Sequence, residues 1–335
     1  MTAPMPAFSF SFSLAFAHAL VAIAALWLAL AIDRWLGEPT ARLHPVVWMG
    51  QYLGWVGSRI APRPHQVKRV DLPLFFIGAL TWCIGGMAVW CAALLLQSLV
   101  TLHLPAWAAA ALLGLLLKPL FAWRMLRDEV LAVEAALAVS LDAGRAQLAR
   151  LVSRDVSMLS EREVRESAIE SLAENLNDSL VAPLFWFVLL GLPGAALYRF
   201  ANTADAMWGY RGLRNGRDWT WLGKWAARAD DVLSWLPARI TVLLLALAAW
   251  QWPRDLGREA RRTPSPNSGW PMAAMALLVG VRLAKPGVYT LNGEGRKAAA
   301  ADTQRTAVLA GRAVLAWAVV ASVAILAIFS MARWP

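Results

Sequence analysis

The sequence predicts an all-α polytopic integral membrane protein, with about four to six transmembrane or re-entrant helices plus cytoplasmic amphipathic helices. Three observations predict it. Of 335 residues, 59% are hydrophobic and 16% charged, against roughly 45–50% and about 25% in an average soluble domain. Several apolar runs reach the roughly 20 residues a membrane-crossing helix needs. Many of the 19 Trp residues sit near the ends of apolar runs, at Trp27, Trp35, Trp107, Trp123, Trp235, Trp250, Trp252 and Trp334, where an indole straddles hydrocarbon and headgroups. Mid-run Trp82 and Trp186 read instead as packing residues.

The first span covers residues 13–32. No Lys or Arg precedes Arg34, so the basic region of a secretory signal is absent and an uncleaved first helix is expected. Residues 33–71 carry Arg34, Arg42, Arg59, Arg63, Lys68 and Arg69, which places them in the cytoplasm by the positive-inside rule. Spans 72–100 and 105–126 then form a hairpin, the second interrupted by Lys118. Cys83 and Cys91 share one helix about 12 Å apart along its axis, too far for a disulfide, and read as small packing residues.

Residues 127–178 are rich in helix formers and nearly free of Gly and Pro, as expected of cytoplasmic amphipathic helices. Ser160-Glu161-Arg162-Glu163 matches a capping box. The pieces 179–198, broken by Gly191, Pro193 and Gly194, and 237–252, only 16 residues long, are expected to be re-entrant or broken helices, tolerated at membrane depth only within protein or along a polar cavity. A last span covers 306–331. No linker divides the chain, so residues 1–335 read as one membrane domain.

The net charge of +10 is scattered through loops rather than gathered in a stripe, so no nucleic-acid partner is expected. The four His residues include no i,i+4 pair, and a His/Cys zinc site is not expected.

On a straight helix, Glu163, Glu166, Glu170, Glu174, Asn177 and Asp178 fall within about 120° of one another. Such a stripe repels itself by a few tenths of a kcal/mol per pair. It either faces water or holds a cation. Because it runs directly into an apolar segment, Mg²⁺ held by oxygen ligands is the expectation. Further polar sets lie at apolar junctions: Asn202 and Asp205 with Tyr210 and Arg211, Asp230 and Asp231 with Pro237 and Arg239, and Ser265 to Met272. Residues 285–295, Lys-Pro-Gly-Val-Tyr followed by Gly293 and Gly295, read as a plain loop more readily than a phosphate nest, and no Walker motif occurs. His44 alone reads more readily as a structural histidine than as a base.

Taken together, the motifs resemble the adenosylcobinamide-phosphate synthase (CobD/CbiB) family. They are Asp33-Arg-Trp-Leu-Gly-Glu-Pro39, His44-Pro-Val46, Ser153-Arg-Asp155, Glu170-Ser-Leu-Ala-Glu-Asn175 and Asn177-Asp-Ser179. Ala182-Pro-Leu-Phe185, Asn202-Thr-Ala-Asp-Ala-Met207, Gly209-Tyr-Arg211, Asp230-Asp231, Pro237-Ala-Arg239, Ser265-Pro-Asn267 and Gly269-Trp-Pro-Met272 complete the series. The resemblance spans about residues 20–330 in the family's order.

It implies an inner-membrane, multi-pass ligase of cobalamin biosynthesis with its active site facing the cytoplasm. The enzyme would use ATP and Mg²⁺ to join aminopropanol, or its O-phosphate, to the ring D propionate of a corrinoid. Other late-pathway membrane enzymes are expected among its partners. Carried onto this chain, Glu170, Glu174 and Asp178 are expected to hold Mg²⁺ and, with Asn175, to serve catalysis. Arg154 and Arg239 are expected at anionic oxygens. Asp33, His44, Asp155, Asn202, Asp205, Tyr210, Asp230, Asp231, Ser265 and Asn267 complete the expected substrate contacts. The competing readings are a corrinoid or other solute transporter and an AmpE-like membrane sensor.

Overall fold

The computed structural model describes residues 7–64 and 70–331, with side chains from Phe16 onward; Lys68, Arg69 and Trp334 fall outside them. Six helical stretches are long and apolar enough to cross a membrane: Phe16–Trp35, Leu72–His103, Ala106–Leu137, Glu161–Trp208, Lys224–Ala249 and Ala300–Met331. The chain forms two compact units, each assembled from discontinuous segments.

Unit 1 comprises residues up to Phe121, Pro183–Asp230 and Ala318 onward. Its helices are α1 (Ala7–Trp35), α2 (Pro45–Ile60), α3 (Leu72–His103) and α4 (Ala106–Leu117). Ala25, Leu26 and Ala29 of α1 are fully buried and pack on α4, where Gly114 lets the backbones approach: a Cβ there would touch the Ala25 carbonyl. Helix α2, absent from the sequence expectation, starts at Pro45, whose fixed φ and missing N–H suit a first helical turn. Helix α4 stops where Lys118-Pro119 begins a 3-10 turn, so the expected span 105–126 is broken rather than continuous.

Helix α8 (Ala182–Trp208) breaks at Gly191, with φ 68° and ψ −156°, a region essentially reserved for glycine. The Leu192 N–H freed by the break donates to Gln97 Oε1 at 2.7 Å, so the expected broken helix carries its own compensation. Trp82 is buried against Phe200 and Trp225, as its mid-run position suggests. Cys83 and Cys91 are exposed free thiols, not the packing residues expected. A two-stranded β1–β2 turn (Leu213–Arg214, Arg217–Asp218) follows α8.

Unit 2 comprises Ala122–Ala182 and Asp231–Trp317. It holds α5 (Trp123–Leu137), α6 (Leu141–Leu148), α7 (Glu161–Leu176), α10 (Leu256–Ala260), α11 (Gly269–Val279) and a β3–β4 hairpin (Leu283–Lys285, Tyr289–Leu291). Helix α9 (Lys224–Ala249) and helix α12 (Ala300–Met331) each contribute part of their length. The capping box at Ser160 and Glu163 is present.

Helix α9 corrects the expected 16-residue piece. The helix begins 13 residues before Pro237 and runs for 26 residues, about 39 Å at 1.5 Å per residue. Around Pro237, side chains bond to backbone carbonyls: Thr241 Oγ1 donates to Pro237 O at 2.9 Å, and Arg239 Nη1 donates to Trp235 O at 2.9 Å.

Helix α7 is buried along nearly its whole length, on the acidic face as well as the apolar one. Leu172 and Leu176 are fully buried, and so is Glu166. Each carboxylate therefore needs a partner. Glu166 Oε2 accepts the Ala284 N–H at 3.1 Å and pairs with Arg162 at 3.2 Å, fastening the β3–β4 hairpin to α7. Glu259, also buried, accepts the Asn292 N–H at 2.7 Å and holds the other end of the hairpin.

Candidate functional site

Fastening the hairpin to α7 creates a polar pocket of about 250 Å³ within unit 2. Its chemistry comes from three separate stretches: Ser153 and Arg154; Ser167, Glu170, Ser171, Glu174 and Asn175; and Lys285 with Tyr289. The α7 members recur at spacings of three and four, so they share one helical face.

Arg154 Nη2 donates to Ser167 Oγ at 2.5 Å and to Glu170 Oε2 at 3.3 Å, bringing the loop after α6 over this face. Glu170 is 4% exposed, and its Oε1 is buried with no hydrogen-bond partner. Asn175 is oriented from within its helix, its Nδ2 donating to Ser171 O at 2.9 Å. Burial pushes the Tyr289 hydroxyl pKa upward, and the negative charges of Glu170 and Glu174 push it further. Tyr289 therefore stays a neutral hydrogen-bond donor at physiological pH.

Of the expected catalytic and binding residues, Arg154, Glu170, Glu174 and Asn175 share this pocket. Asp178 does not line it. The chain leaves α-helical geometry at Asn177 and runs as a π-turn to Val181, so the uniform 100° step behind the expected stripe fails there. Asp178 accepts a bond from Asn177 Nδ2 at 2.7 Å, while Asn177 Oδ1 accepts one from Thr241 at 3.1 Å. Among the described residues no three His, Cys, Asp or Glu side chains gather into a metal-holding group. Of the three expected carboxylates, Glu170 and Glu174 line the pocket and Asp178 does not.

Asp155 is also outside the pocket. It is exposed, accepts the Ser157 N–H at 2.9 Å and shapes the turn that presents Arg154; that bond holds its carboxyl below the usual range.

A second cluster of expected residues in unit 2 braces the turn before α11. Arg239 Nη1 donates to Asn267 Oδ1 at 2.6 Å, and Arg239 Nη2 to Pro266 O at 3.1 Å. Asn267 Nδ2 donates to the Asp231 carbonyl at 2.7 Å. Ser265 Oγ accepts the N–H groups of Asn267 and Ser268, each at 3.2 Å. The Arg239 guanidinium lies against the rings of Trp235 and Trp270, 4.8 and 4.6 Å from their centroids.

Within unit 1, Asp33 and His44 belong to a network around Lys118, which is 2% exposed. Lys118 Nζ lies 3.1 Å from Asp33 Oδ1 and 2.8 Å from Glu38 Oε1, and His44 Nε2 is 3.3 Å from Glu38 Oε2. Burial raises the Glu38 pKa, but hydrogen bonds from His44 and Lys118 and the Lys118 charge outweigh it and leave the carboxyl below its ordinary value. Glu38 and Lys118 form the polar end of an otherwise apolar crevice of about 680 Å³. Asn202 Nδ2 donates to Asp230 Oδ1 at 3.4 Å, and Arg199 Nη1 to Asn202 Oδ1 at 3.5 Å. The Asp205 carbonyl accepts the Gly209 N–H at 2.7 Å. Tyr210 carries the Arg214 guanidinium 3.6 Å above its ring.

Sequence reasoning missed Lys118, Glu38, Ser167, Ser171, Lys285 and Tyr289 as site residues. Lys285-Pro286-Gly287-Val288 held the one local signal. The Val288 N–H donates to Lys285 O at 3.0 Å and Gly287 has φ 72°, a turn with Pro and Gly in their preferred places. It closes the hairpin that carries Lys285 and Tyr289 to α7.

The donor set suits Mg²⁺ together with phosphate. Mg²⁺ is usually held by one or two carboxylates plus substrate phosphates rather than by an all-protein cage. Glu170 and Glu174 supply two carboxylates, including the buried unpartnered oxygen of Glu170, and Arg154 and Lys285 supply positive charge.

Comparison with known proteins gives the family. The model described as CobD/Cbib protein matches residues 26–318. The chain is 41% identical over 284 residues to the probable cobalamin biosynthesis protein CobD of Methanothermobacter thermautotrophicus, covering 80% of this chain and 86% of that protein. It is 42% identical to the probable cobalamin biosynthesis protein CobD of Thermococcus kodakarensis, over 82% of this chain and 87% of that one. Identity to the cobalamin biosynthesis protein CobD of Rhodobacter capsulatus is 37%, over 87% and 93%. No solved structure matches significantly. With a family match over most of its length and relatives this similar across four-fifths of it, the chain belongs to the CobD/CbiB family.

Proposed function

We propose that this chain serves cobalamin biosynthesis as an ATP- and Mg²⁺-dependent ligase. It joins aminopropanol or its O-phosphate to the ring D propionate of a corrinoid, forming an amide. The observation that carries the reading is the unit 2 pocket, where Glu170, Glu174, Asn175 and Tyr289 stand with Arg154 and Lys285.

Amide formation at neutral pH faces two obstacles: a carboxylate is a poor electrophile, and an alkylamine is protonated. The first is overcome when a propionate oxygen attacks a phosphorus of ATP, forming a mixed anhydride and releasing the rest of the nucleotide. Mg²⁺ supplies charge neutralisation at the phosphate oxygens; Glu170 and Glu174 would hold it.

Arg154 and Lys285 offset the anionic charge of propionate and phosphate. The second obstacle needs a base, and the Glu174 oxygen left free by Mg²⁺ is suited to take a proton from the amine. The free amine then attacks the activated carbonyl, a C–N bond forms and phosphate leaves with the bonding electrons. Tyr289, kept neutral by burial and its acidic neighbours, can donate to the developing carbonyl oxyanion.

Size supports entry of the reacting ends alone. A pocket of about 250 Å³ lies below the roughly 300–1,000 Å³ of sites that enclose a drug-sized ligand. The corrin ring therefore stays outside while its propionate reaches in. We place the protein in the inner membrane with this pocket on the cytoplasmic side, on the strength of the basic loops of the sequence. Incubation of purified protein with cobyric acid, the amine and Mg-ATP tests the reading through amide formation, whereas vesicle uptake of a corrinoid without product would favour a transporter.

A further inference from the structure

The hairpin that closes the polar pocket forms on its other side the wall of a second one. This cavity, of about 470 Å³, is lined by Arg162, Arg262, Arg282 and Lys285, with Glu163 as its lone acid. Lys285 and Tyr289 line both pockets.

The four cations are not equivalent. Arg162 pairs with buried Glu166 at 3.2 Å, and Arg262 with buried Glu259 at 3.2 Å, so those two are neutralised and held in place by the carboxylates that fasten the hairpin. Arg282 and Lys285 form no ion pair among the described residues, and Arg282 Nε is a buried donor without an acceptor. Glu163 is occupied by its cap, accepting from the Ser160 N–H at 2.8 Å and hydroxyl at 2.7 Å. A cavity with two cations outside any ion pair, two held by buried carboxylates and an unsatisfied guanidinium N–H suits an oxyanion. Planar Arg forks suit phosphate oxygens particularly well.

We propose that the cavity bounded by Arg162, Arg262, Arg282 and Lys285 is a phosphate-binding site that holds the phosphate group of a small phosphorylated substrate beside the Glu170–Glu174 pocket. Its place next to the reaction rests on the ligase reading; the binding itself does not. Both a nucleoside triphosphate and a phosphorylated amino alcohol carry this chemistry, and the shared Lys285–Tyr289 wall sets either one's phosphate next to the reacting groups.

The test uses the full-length protein in detergent and direct binding of three probes: a non-hydrolysable ATP analogue with Mg²⁺, aminopropanol O-phosphate, and inorganic phosphate. At least one phosphorylated probe is expected to bind the wild type. Arg282→Gln and Lys285→Gln should each weaken it on the order of 10- to 100-fold, as loss of a charge-assisted hydrogen bond does. The probe that responds identifies the source. Should Arg282→Gln misfold, Lys285→Gln on the hairpin turn and the milder Arg282→Lys keep the question open to measurement. Equal binding of every probe to wild type and to the folded variants would overturn the site, as would no binding of any probe. If probes bind as expected but no amide forms, the ligase reading fails and the phosphate site stands. If amide forms but the KM for each phosphorylated substrate is unchanged in both variants, the reverse holds.

Discussion

Arg154 reaches Glu170 across a gap of sixteen residues in sequence, its Nη2 lying 3.3 Å from Glu170 Oε2 and 2.5 Å from Ser167 Oγ. One guanidinium therefore ties the loop after α6 to two turns of α7 and partly neutralises a buried carboxylate at the floor of the pocket.

An Arg154→Lys protein keeps the charge but replaces the planar guanidinium, whose Nη2 serves both acceptors, with a compact ammonium. Its kcat in the amide-forming assay should fall about 10- to 100-fold, the equivalent of one charge-assisted hydrogen bond, with the far-ultraviolet circular dichroism unchanged. A kcat within twofold of wild type would show that the guanidinium has no part in the reaction.

The Glu38–Lys118 pair makes stability depend on pH. The folded-state pKa of Glu38 lies below its ordinary 4.5, so the folded protein binds its proton less readily than the unfolded chain does. The stability this adds is present above about 4.5 and is lost as pH falls through the lower folded value. Thermal unfolding of detergent-solubilised protein should show Glu38→Gln less stable than wild type at neutral pH, with the difference closing in acid. A gap that widens in acid would contradict the arrangement.

Gly191 is tested by Gly191→Ala. The backbone there has φ 68° and ψ −156°, and an added Cβ would also meet the Gln97 amide that receives the Leu192 N–H. A cost of about 1–3 kcal/mol is expected for the backbone conformation alone, read as a lower unfolding midpoint.

Arg239→Lys should loosen the turn before α11, because a single ammonium cannot serve Asn267, Pro266 and Trp235 while lying against Trp270. Faster hydrogen exchange at Asn267 and Ser268, with α7 unaffected, is the expected signature.

Much of the architecture can be read from the sequence because the bilayer imposes a length that composition alone can meet: the runs beginning near Leu72 and ending near Met331 needed only counting. Helix α9 escaped that count because its first half, Lys224 to Leu236, is amphipathic, and Pro237 looked like a beginning rather than an interior residue. The acidic stripe on α7 led to Glu170 and Glu174, which share one pocket, but not to the place of Asp178, where a π-turn at Asn177–Val181 breaks the phase on which any helical-wheel argument depends. Partners distant in sequence left no local trace. Lys118 and Glu38 are 80 residues apart, and Ala284 and Glu166 are 118 apart. Only packing brings them together.

The ligase reading turns on Glu174, and the most direct measurement compares wild type and Glu174→Gln in a reconstituted reaction of cobyric acid, aminopropanol or its O-phosphate, and Mg-ATP. Wild type is expected to yield the amide with stoichiometric nucleotide cleavage, and the folded variant to turn over on the order of 10²- to 10⁴-fold more slowly, as loss of a general base does. Equal turnover by both proteins, or amide formed without nucleotide cleavage, would contradict it.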